Sequence, residues 1–345
     1  MTTTAAPTAV PLSVLDVSLI EQGTTAAESL STTVAAARHA EQLGCRRYWV
    51  AEHLTPGVAS ASPAVVIAAV ASTTSTIRVG AGGVLLPNHV PLLVAEDFGT
   101  LGAFFPGRID LGVGRGAGTQ SAAVTALIRR GAPEPTPADH RADVAELLGA
   151  FRTTDPDAVP VTARPSTAPQ VWGLGSSTGG AVLAAELGLP LCTAHHIRPA
   201  GTVEAVAAYR EHFRPSAELA EPRVMLSVAT VVADTDEEAD ALARPFEVYL
   251  AGQLSGAAPT GVPGAQQAAA ATLTDQQEQF LAARRSQQVQ GSPATARRRL
   301  AELLAATAPD ELIALTPVYD LAARQRSLAL VADALGSLAP VGATA

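Results

Sequence analysis

The chain has 345 residues, 48% of them hydrophobic, and a formal net charge of −9 at pH 7. This length suits two ordinary domains or one barrel-sized domain. The negative charge argues against nucleic acid or an anionic membrane as a partner, because both require a concentrated basic surface. The N-terminus lacks a basic region followed by an apolar run, and no apolar stretch reaches the roughly 18–20 residues of a membrane span, so we expect a soluble cytoplasmic protein.

Two features of the composition restrict the chemistry. The only cysteines are Cys45 and Cys192, in or beside predicted strands, so a disulfide framework or a cysteine-rich zinc site is excluded and both are expected to be buried thiols. All 23 basic residues are arginine. Without lysine, the Schiff-base chemistry of pyridoxal enzymes and imine-forming aldolases and the Walker-type phosphate loop are excluded. A phosphate that is held by a charged side chain must therefore be held by arginine.

Strand-like segments alternate with helical segments along the whole chain. Most of the strand-like segments are continuous apolar or β-branched runs, as expected for parallel strands covered by helices. There are eight of them: 11–18, 46–52, 77–86, 108–114, 169–175, 190–196, 223–233 and 311–318.

The helical segments between these strands have apolar residues at helical spacing and typical ends, such as Ser62 before Pro63 at an N-terminus. They cover residues 24–44, 62–73, 91–104, 178–188, 199–213, 235–250, 292–307 and 320–336. Strict alternation predicts a parallel sheet with right-handed crossovers. Eight repeats predict closure into a (β/α)8 TIM barrel with insertions, as a single domain over residues 1–345.

Two segments interrupt the alternation. Residues 131–168 contain many Pro, Thr and Asp residues and one predicted helix, 137–152. Residues 251–292 are rich in Gly, Ala and Gln and are predicted to be a long irregular insertion. Long loops within compact domains are usually disordered or functional, so we expect residues 251–292 to form a mobile lid.

Glu52 and His53 lie where the strand 46–52 ends. In a (β/α)8 barrel the active site lies at the carboxyl ends of the strands, so this pair is expected to face the site. A histidine, with an ordinary pKa of about 6.5, is the natural general base or acid at neutral pH. The alternative is an acid–imidazole pair that only stabilises a strand–loop junction.

Two glycine-rich loops are candidate anion sites. "GVGRGAGT" (112–119) is a weak dinucleotide motif, because no helix follows at once and no acidic residue lies about 20 positions further on after a strand. As a barrel loop it lets the backbone approach a ligand, and Arg115 offers a fork of donors to a phosphate; the alternative is a solvated arginine on a turn. "GLGSSTGG" (173–180) joins a strand to a helix, so Ser176, Ser177 and the backbone N–H groups suit an anion.

Two further motifs are weighed against other chemistry. The G-x-S-x-G pattern around Ser177 matches a serine-hydrolase elbow, but no Asp lies between Ser177 and His212, the last histidine, so the required order of acid and then histidine is not met. His195 and His196 end the strand 190–196, and adjacent strand residues point to opposite faces. We therefore expect one histidine to face the site, and we predict no metal site.

These segments together resemble the bacterial luciferase-like monooxygenases, a family of flavin-dependent (β/α)8 enzymes. The resemblance covers nearly the whole chain and is most specific in "LPNHVPLLVAE" (86–96) and "GRIDLGVGRG" (107–116). It implies that reduced FMN, supplied by a separate NAD(P)H-dependent flavin reductase, captures dioxygen as a peroxyflavin that oxygenates a small organic substrate. It also implies a homodimer that pairs through the helices at 62–73 and 91–104.

The resemblance implies roles for single residues. His53 matches the family's proposed general base, beside Glu52. Gly82 and Gly83 match a pair joined by a non-prolyl cis peptide behind the flavin ring. Arg115, with Ser176 and Ser177, matches the FMN-phosphate site, and His195 matches a bulky position near the flavin.

The chain departs from the family pattern in one important place. The family usually has Glu-His-His, whereas Leu54 follows His53 here, so His53 aligns with either family histidine. Two alternatives to an FMN monooxygenase stay open. One is a deazaflavin-dependent oxidoreductase that transfers hydride without dioxygen. The other is a non-catalytic flavin-binding barrel, which would be expected to lack His53 and Arg115.

Overall fold

The structure is a computed structural model, and it describes residues 10–119, 121–130, 132–152, 159–256 and 259–338. Its strands are short and mostly buried along their whole length. They are β1 Leu12–Asp16, β2 Arg47–Val50, β3 Arg78–Leu85, β4 Ile109–Gly114, β5 Gln170–Gly175, β6 Leu191–Ala194, β7 Val224–Val232, β8 Val289–Gly291 and β9 Glu311–Leu315.

Eight strands close into a parallel barrel. Strands β1 to β7 pair in chain order, and β9 lies between β7 and β1, where Met225 is opposite Glu311 and Leu12 is opposite Leu312. The predicted (β/α)8 barrel, a single domain, is confirmed. Strand β8 was not predicted: it extends the sheet beside the carboxyl end of β7, where Thr230 is opposite Val289.

The helices alternate with the strands, and α1 begins with a capping box in which Thr25 and Glu28 satisfy each other's backbone N–H groups. Their bounds are α1 Ala26–Gln42, α2 Pro63–Ser72, α3 Pro91–Phe104, α4 Ala122–Arg129, α5 Pro137–Phe151, α6 Thr178–Glu186, α7 Thr202–His212, α8 Asp236–Leu254, α9 Ala265–Ala270, α10 Asp275–Gln287, α11 Pro293–Thr307 and α12 Leu321–Gly336. Among the described residues, no helix combines the length and the apolar character needed to cross a membrane.

The apolar core has two parts, as side chains alternate between the two faces of each strand. The larger part lies between the barrel and its helices. The smaller part fills the barrel interior, where Trp49 and Trp172 meet edge to face with their ring centroids 5.6 Å apart. Cys192 also lies in this interior, and both cysteines are buried free thiols whose pKa values are raised by burial, which confirms the prediction for them.

A buried ionic network fills the lower end of the barrel, where the strands begin. The Arg47 guanidinium donates to Asp110 Oδ2 at 2.7 Å and to Glu311 Oε1 at 2.8 Å, and all three side chains are at most 1% exposed. The indole N–H of Trp49 donates to the same Asp110 oxygen at 3.0 Å. Polar groups and aromatic rings therefore occupy the interior below the mouth, which is the end of the barrel at the carboxyl ends of the strands.

The insertion at 251–292 is mainly helical, so the prediction of a long irregular segment is wrong. It contains the end of α8, the helices α9 and α10, and β8; residues 257 and 258 lie outside the described residues. Val262 exchanges backbone hydrogen bonds with Ile20 and Gln22, each 2.8 Å long. Just before this segment, the Tyr249 hydroxyl of α8 donates to the Pro56 carbonyl at 2.8 Å. The segment thus packs on the loops that follow β1 and β2, at the mouth.

In the other insertion, the predicted helix 137–152 is α5, Pro137–Phe151. The short helix α4 precedes the insertion and was not predicted. Residues 131 and 153–158 lie outside the described residues.

Candidate functional site

His53 continues the inward-facing series of β2 beyond the end of the strand. Arg47 and Trp49 face the interior, and His53 follows with the same alternation. Its backbone N–H donates to the Ser60 carbonyl at 3.1 Å, and the next N–H, of Leu54, donates to the Gly118 carbonyl at 2.9 Å. Burial lowers the pKa of His53, while the nearby Glu52 charge opposes this effect. The imidazole is therefore neutral at pH 7 and can accept a proton.

The Glu52 carboxylate is engaged by groups at the end of β3, and its catalytic role stays a prediction. The carboxylate is 2% exposed and accepts hydrogen bonds from the backbone N–H of Leu85 at 2.9 Å and from His89 Nε2 at 2.8 Å. Both oxygens are thus occupied at the end of β3. The hydrogen bond to Glu52 and its charge raise the pKa of His89. Glu52 therefore ties the end of β2 to the end of β3.

The two histidines after β6 point in opposite directions, and His195 points away from the barrel interior. Its Nδ1 bonds with the Thr202 hydroxyl at 2.9 Å and its Nε2 with the Gln287 carbonyl at 2.8 Å. Both ring nitrogens therefore have protein partners, and the expected contact between His195 and the flavin stays a prediction.

His196 is the inward histidine of the pair. Its Nδ1 bonds with the Ser227 hydroxyl of β7 at 2.7 Å. Burial, together with the nearby charges of Arg284 and of His195 and His53 when these are protonated, lowers the pKa of His196 to about 3. His196 and His53 therefore share the mouth, and both are neutral at pH 7.

The predicted phosphate residues lie where β4 and β5 end. Ser177 is the N-cap of α6, and its hydroxyl accepts from the Gly180 N–H at 3.4 Å. Arg115 is exposed, and within the described residues it makes no ion pair. Burial lowers the pKa of His140, and the Arg115 charge lowers it further. His140 is buried, and its Nδ1 has no hydrogen-bond partner among the described residues.

These groups fit a phosphate. A free arginine fork, the first N–H groups of α6 and an unpaired imidazole nitrogen are donors that an anion would satisfy. Ser176 directly precedes the N-cap, so its backbone is at the same place. His140 was not identified from the sequence, since it lies in the first turn of α5 within the interrupted region.

Gly82 and Gly83 lie in β3 and are joined by a cis peptide, as the family resemblance implied. A β-carbon on Gly82 would lie 2.8 Å from Leu15 Cδ1, and one on Gly83 would lie 2.7 Å from the Gly112 carbonyl oxygen. A side chain at position 83 would therefore clash with the backbone of β4, and one at position 82 would displace Leu15. The two glycines keep the wall of β3 flat beside the interior, where a planar ring could lie against it.

Within the described residues, no group of three or more His, Cys, Asp or Glu side chains is placed to hold a metal ion. The mouth instead combines neutral imidazoles with a set of anion donors. A closed (β/α)8 barrel with its functional side chains at the carboxyl ends of the strands has the layout of TIM-barrel enzymes.

Comparison with known proteins identifies the family. The model of the luciferase-like monooxygenases matches residues 11–311. A luciferase-like monooxygenase of Escherichia coli strain K12 is 37% identical over 330 residues, 94% of this chain and 96% of that protein. The N-acetyl-S-alkylcysteine monooxygenase of Bacillus subtilis strain 168 is 37% identical over 237 residues, 66% of this chain and 70% of that protein. The chain belongs to the luciferase-like monooxygenase family.

Solved structures agree with this result. The crystal structure of apo-MsnO8 is 36% identical and superposes with a TM-score of 0.87 over 94% of this chain and 98% of that one. More distant structures share the fold alone. They include the oxygenating constituent of 3,6-diketocamphane monooxygenase in complex with FMN, with 20% identity and a TM-score of 0.69, and an F420-dependent secondary alcohol dehydrogenase, with 15% identity and a TM-score of 0.64.

Proposed function

We propose that this protein is a flavin-dependent monooxygenase that uses reduced FMN and dioxygen to oxygenate a small organic substrate. The observation that carries the proposal is the pairing, at one barrel mouth, of the anion donors around Arg115 with the neutral imidazole of His53. Named monooxygenases among the relatives support the reaction class, and a distant structure with bound FMN supports the cofactor.

FMN fits the residues present. Arg115, Ser176, Ser177 and the N-terminus of α6 would hold its phosphate, and Gly82–Gly83 would lie against its ring. Reduced FMN supplies the electrons that activate dioxygen for transfer of one oxygen atom to the substrate.

The protein's own residues control protons and water at this site. His53, held neutral by burial, accepts or returns a proton near the reacting atoms. Residues 251–292 cover the mouth and exclude water during turnover. Val262→Asp would disturb the packing of this segment on Leu19 and Tyr249, so it should raise the ratio of dioxygen consumed to product formed. An unchanged ratio would place the cover elsewhere.

We also propose a separate NAD(P)H-dependent flavin reductase as the source of reduced FMN. The direct test is activity with purified reductase and NADH in place of chemically reduced FMN. The loop 112–119 supports a separate reductase, because it is a poor motif for binding NAD(P)H and its Arg115 is assigned here to the FMN phosphate.

We further propose a homodimer that pairs through α2 and α3. These helices expose large apolar side chains, with Val65 70%, Leu93 61% and Phe104 73% exposed. Exposed large apolar side chains on neighbouring helices favour association by twofold symmetry. Light scattering at micromolar concentration should give twice the chain mass. Leu93→Asp should give monomers, whereas the matched change Leu127→Asp on α4 should not.

The second candidate function is hydride transfer with a reduced deazaflavin and no dioxygen, and the F420-dependent enzymes among the fold neighbours motivate it. A non-catalytic flavin-binding barrel is less consistent with this chain, because His53 and Arg115 are both present.

One experiment separates these functions. The purified protein is supplied with reduced FMN, ¹⁸O₂ and a thioether panel, or with reduced deazaflavin and a ketone panel without oxygen, and products are identified by mass spectrometry. Product that carries ¹⁸O only in the FMN and ¹⁸O₂ arm supports the monooxygenase. Turnover confined to the anaerobic deazaflavin arm refutes it.

A further inference from the structure

The end of α10 is fixed beside the carboxyl ends of β6 and β7. The carbonyl of Gln287 bonds with His195 Nε2 at 2.8 Å, and the side-chain oxygen of Gln288 accepts from the Ala229 N–H of β7 at 3.0 Å. Arg284 lies one turn earlier on the same helical face, three residues after the fully buried Leu281. This face therefore meets the carboxyl ends of β6 and β7, and Arg284 lies on it.

Arg284 is a half-buried cation with no ion pair or hydrogen bond of its own among the described side chains. The nearest carboxylate is occupied, because Arg285 Nε donates to Glu247 Oε1 at 2.6 Å and a second bond joins Arg285 to the other oxygen. Burial lowers the pKa of Arg284, and the Glu247 charge only opposes this effect. A half-buried guanidinium whose neighbouring carboxylate is already engaged is open to an anionic ligand.

The guanidinium belongs to the same mouth as the imidazoles. Gln288, four residues after Arg284, bonds with Ala229 of β7, and His196 bonds with Ser227 of the same strand. The Arg284 charge accordingly lowers the pKa of His196. The anion donors assigned to the FMN phosphate lie elsewhere, at the ends of β4 and β5, whereas Arg284 lies beside β6 and β7.

We propose that Arg284 binds the carboxylate of an acidic substrate at the mouth of the barrel. The proposal rests on the proposed function and adds its substrate class. A guanidinium fork matches a carboxylate through two parallel hydrogen bonds, and in this lysine-free chain arginine is the only side chain that keeps a positive charge at every working pH. Arg284 would then bind the carboxylate at one end of the substrate, and the rest of the substrate would extend towards His53.

The test measures protection of Arg284 from phenylglyoxal, an arginine reagent, by peptide mass spectrometry. The probes are butanoate and butanamide, which have nearly the same shape and differ in charge. Butanoate should slow modification of Arg284 several-fold, butanamide should not, and Arg298, an exposed residue paired only with Glu302, should respond to neither. Arg284→Met should weaken butanoate binding, followed by ligand-observed NMR, about 10- to 100-fold, while Arg298→Met should leave it unchanged.

Equal protection by butanoate and butanamide, or none by either, would overturn the proposal. Protection of Arg284 by FMN but not by riboflavin would also overturn it, because the anion would then be the flavin phosphate. Neither readout requires turnover. A failure of this inference is therefore distinct from a failure to oxygenate, which the ¹⁸O₂ measurement detects by itself.

Discussion

The proton affinity of His53 is determined by its position beyond the end of β2. Burial favours the neutral ring, and the backbone bonds of His53 and Leu54 fix the loop. A base that acts mainly in the transition state affects turnover more than binding. His53→Ala should therefore lower turnover by about 10²- to 10⁴-fold, with FMN affinity little changed. Steady-state kinetics and flavin titration test this.

The matched control is His212→Ala, since His212 is an exposed histidine on α7. It should leave turnover unchanged. If His53→Ala keeps most of its activity, His53 only lines the pocket, and His196 becomes the candidate base because it faces the same mouth.

Arg115 should distinguish FMN from riboflavin. Its charge-assisted bonds to a phosphate are worth about 1.5–3 kcal/mol, so Arg115→Ala should weaken FMN binding by about one to two orders of magnitude. Riboflavin, which lacks the phosphate, should bind almost as before. Fluorescence titration of both flavins to the same variant provides the comparison. Equal losses for both would refute the phosphate assignment.

The pair of His89 and Glu52 makes stability depend on pH. The pKa of His89 is raised above its ordinary value of 6.5, so its contribution is fully present below about pH 6.5 and is lost as pH rises through the folded pKa. The His89 side chain is 35% exposed, so solvent screens the pair and its effect is modest. Urea unfolding of the wild type and His89→Gln should give curves that differ at pH 6 and converge at pH 9. A constant difference would contradict this coupling.

For single residues, the sequence predicts which loops carry functional residues better than it predicts which side chain of each loop faces the site. The residue pairs after β2 and β6 were both found, because the barrel rule requires functional residues there. Within each pair, the inward member depends on the alternation of the strand, and continuous apolar runs such as "PLCTA" do not indicate which face is inside. His196 lies an even number of positions after Cys192 and so shares its face of the strand. Only the structure shows that Cys192 faces the barrel interior, so the sequence alone could not favour His196 over His195.

At the scale of elements, β3 and β4 approach closely through glycine. A β-carbon on Gly112 would lie 2.4 Å from the Ala81 carbonyl oxygen and 2.6 Å from Leu174 Cδ1. A strand backbone cannot yield by that amount without moving its neighbour, so Gly112→Ala should cost about 1–3 kcal/mol, the usual range for overpacking. Thermal unfolding should show a clear loss.

Gly336→Ala is the control for this change. Gly336 ends α12, and no atom would lie within 4 Å of its new β-carbon. It should be neutral or slightly stabilising, because alanine is the better helix former. Similar losses for the two variants would mean that the contact between β3 and β4 is not the cause.

The segment 251–292 illustrates the limit of prediction for elements. Its Gly, Ala and Gln content indicated a loop, yet α10 has a capping box in which Thr274 and Gln277 bond each other's backbone N–H groups. That box is visible in "TDQQ" and could have indicated the helix. β8 has three residues and is stabilised by its pairing with β7, and no local pattern predicts so short a strand.

For the whole molecule, alternation and strand count were sufficient, because eight β/α units have few other ways to bury continuous apolar strands. The network of Arg47, Asp110 and Glu311 could not be predicted in the same way. These residues are 63 and 264 positions away from Arg47 along the chain, and only closure of the barrel brings them together. A charged residue within an apolar strand indicates a buried partner without identifying it.

That network also has a kinetic consequence. Charged and aromatic side chains fill the lower end of the barrel, so cofactor and substrate must enter through the same opening. If FMN binds as proposed, with its ring against Gly82–Gly83, we expect compulsory-order kinetics with reduced FMN first and substrate second. Excess substrate should then inhibit by occupying the opening before FMN arrives, and a higher FMN concentration should relieve the inhibition. Initial rates over a grid of both concentrations test this, and inhibition that persists at saturating FMN would indicate a second entrance.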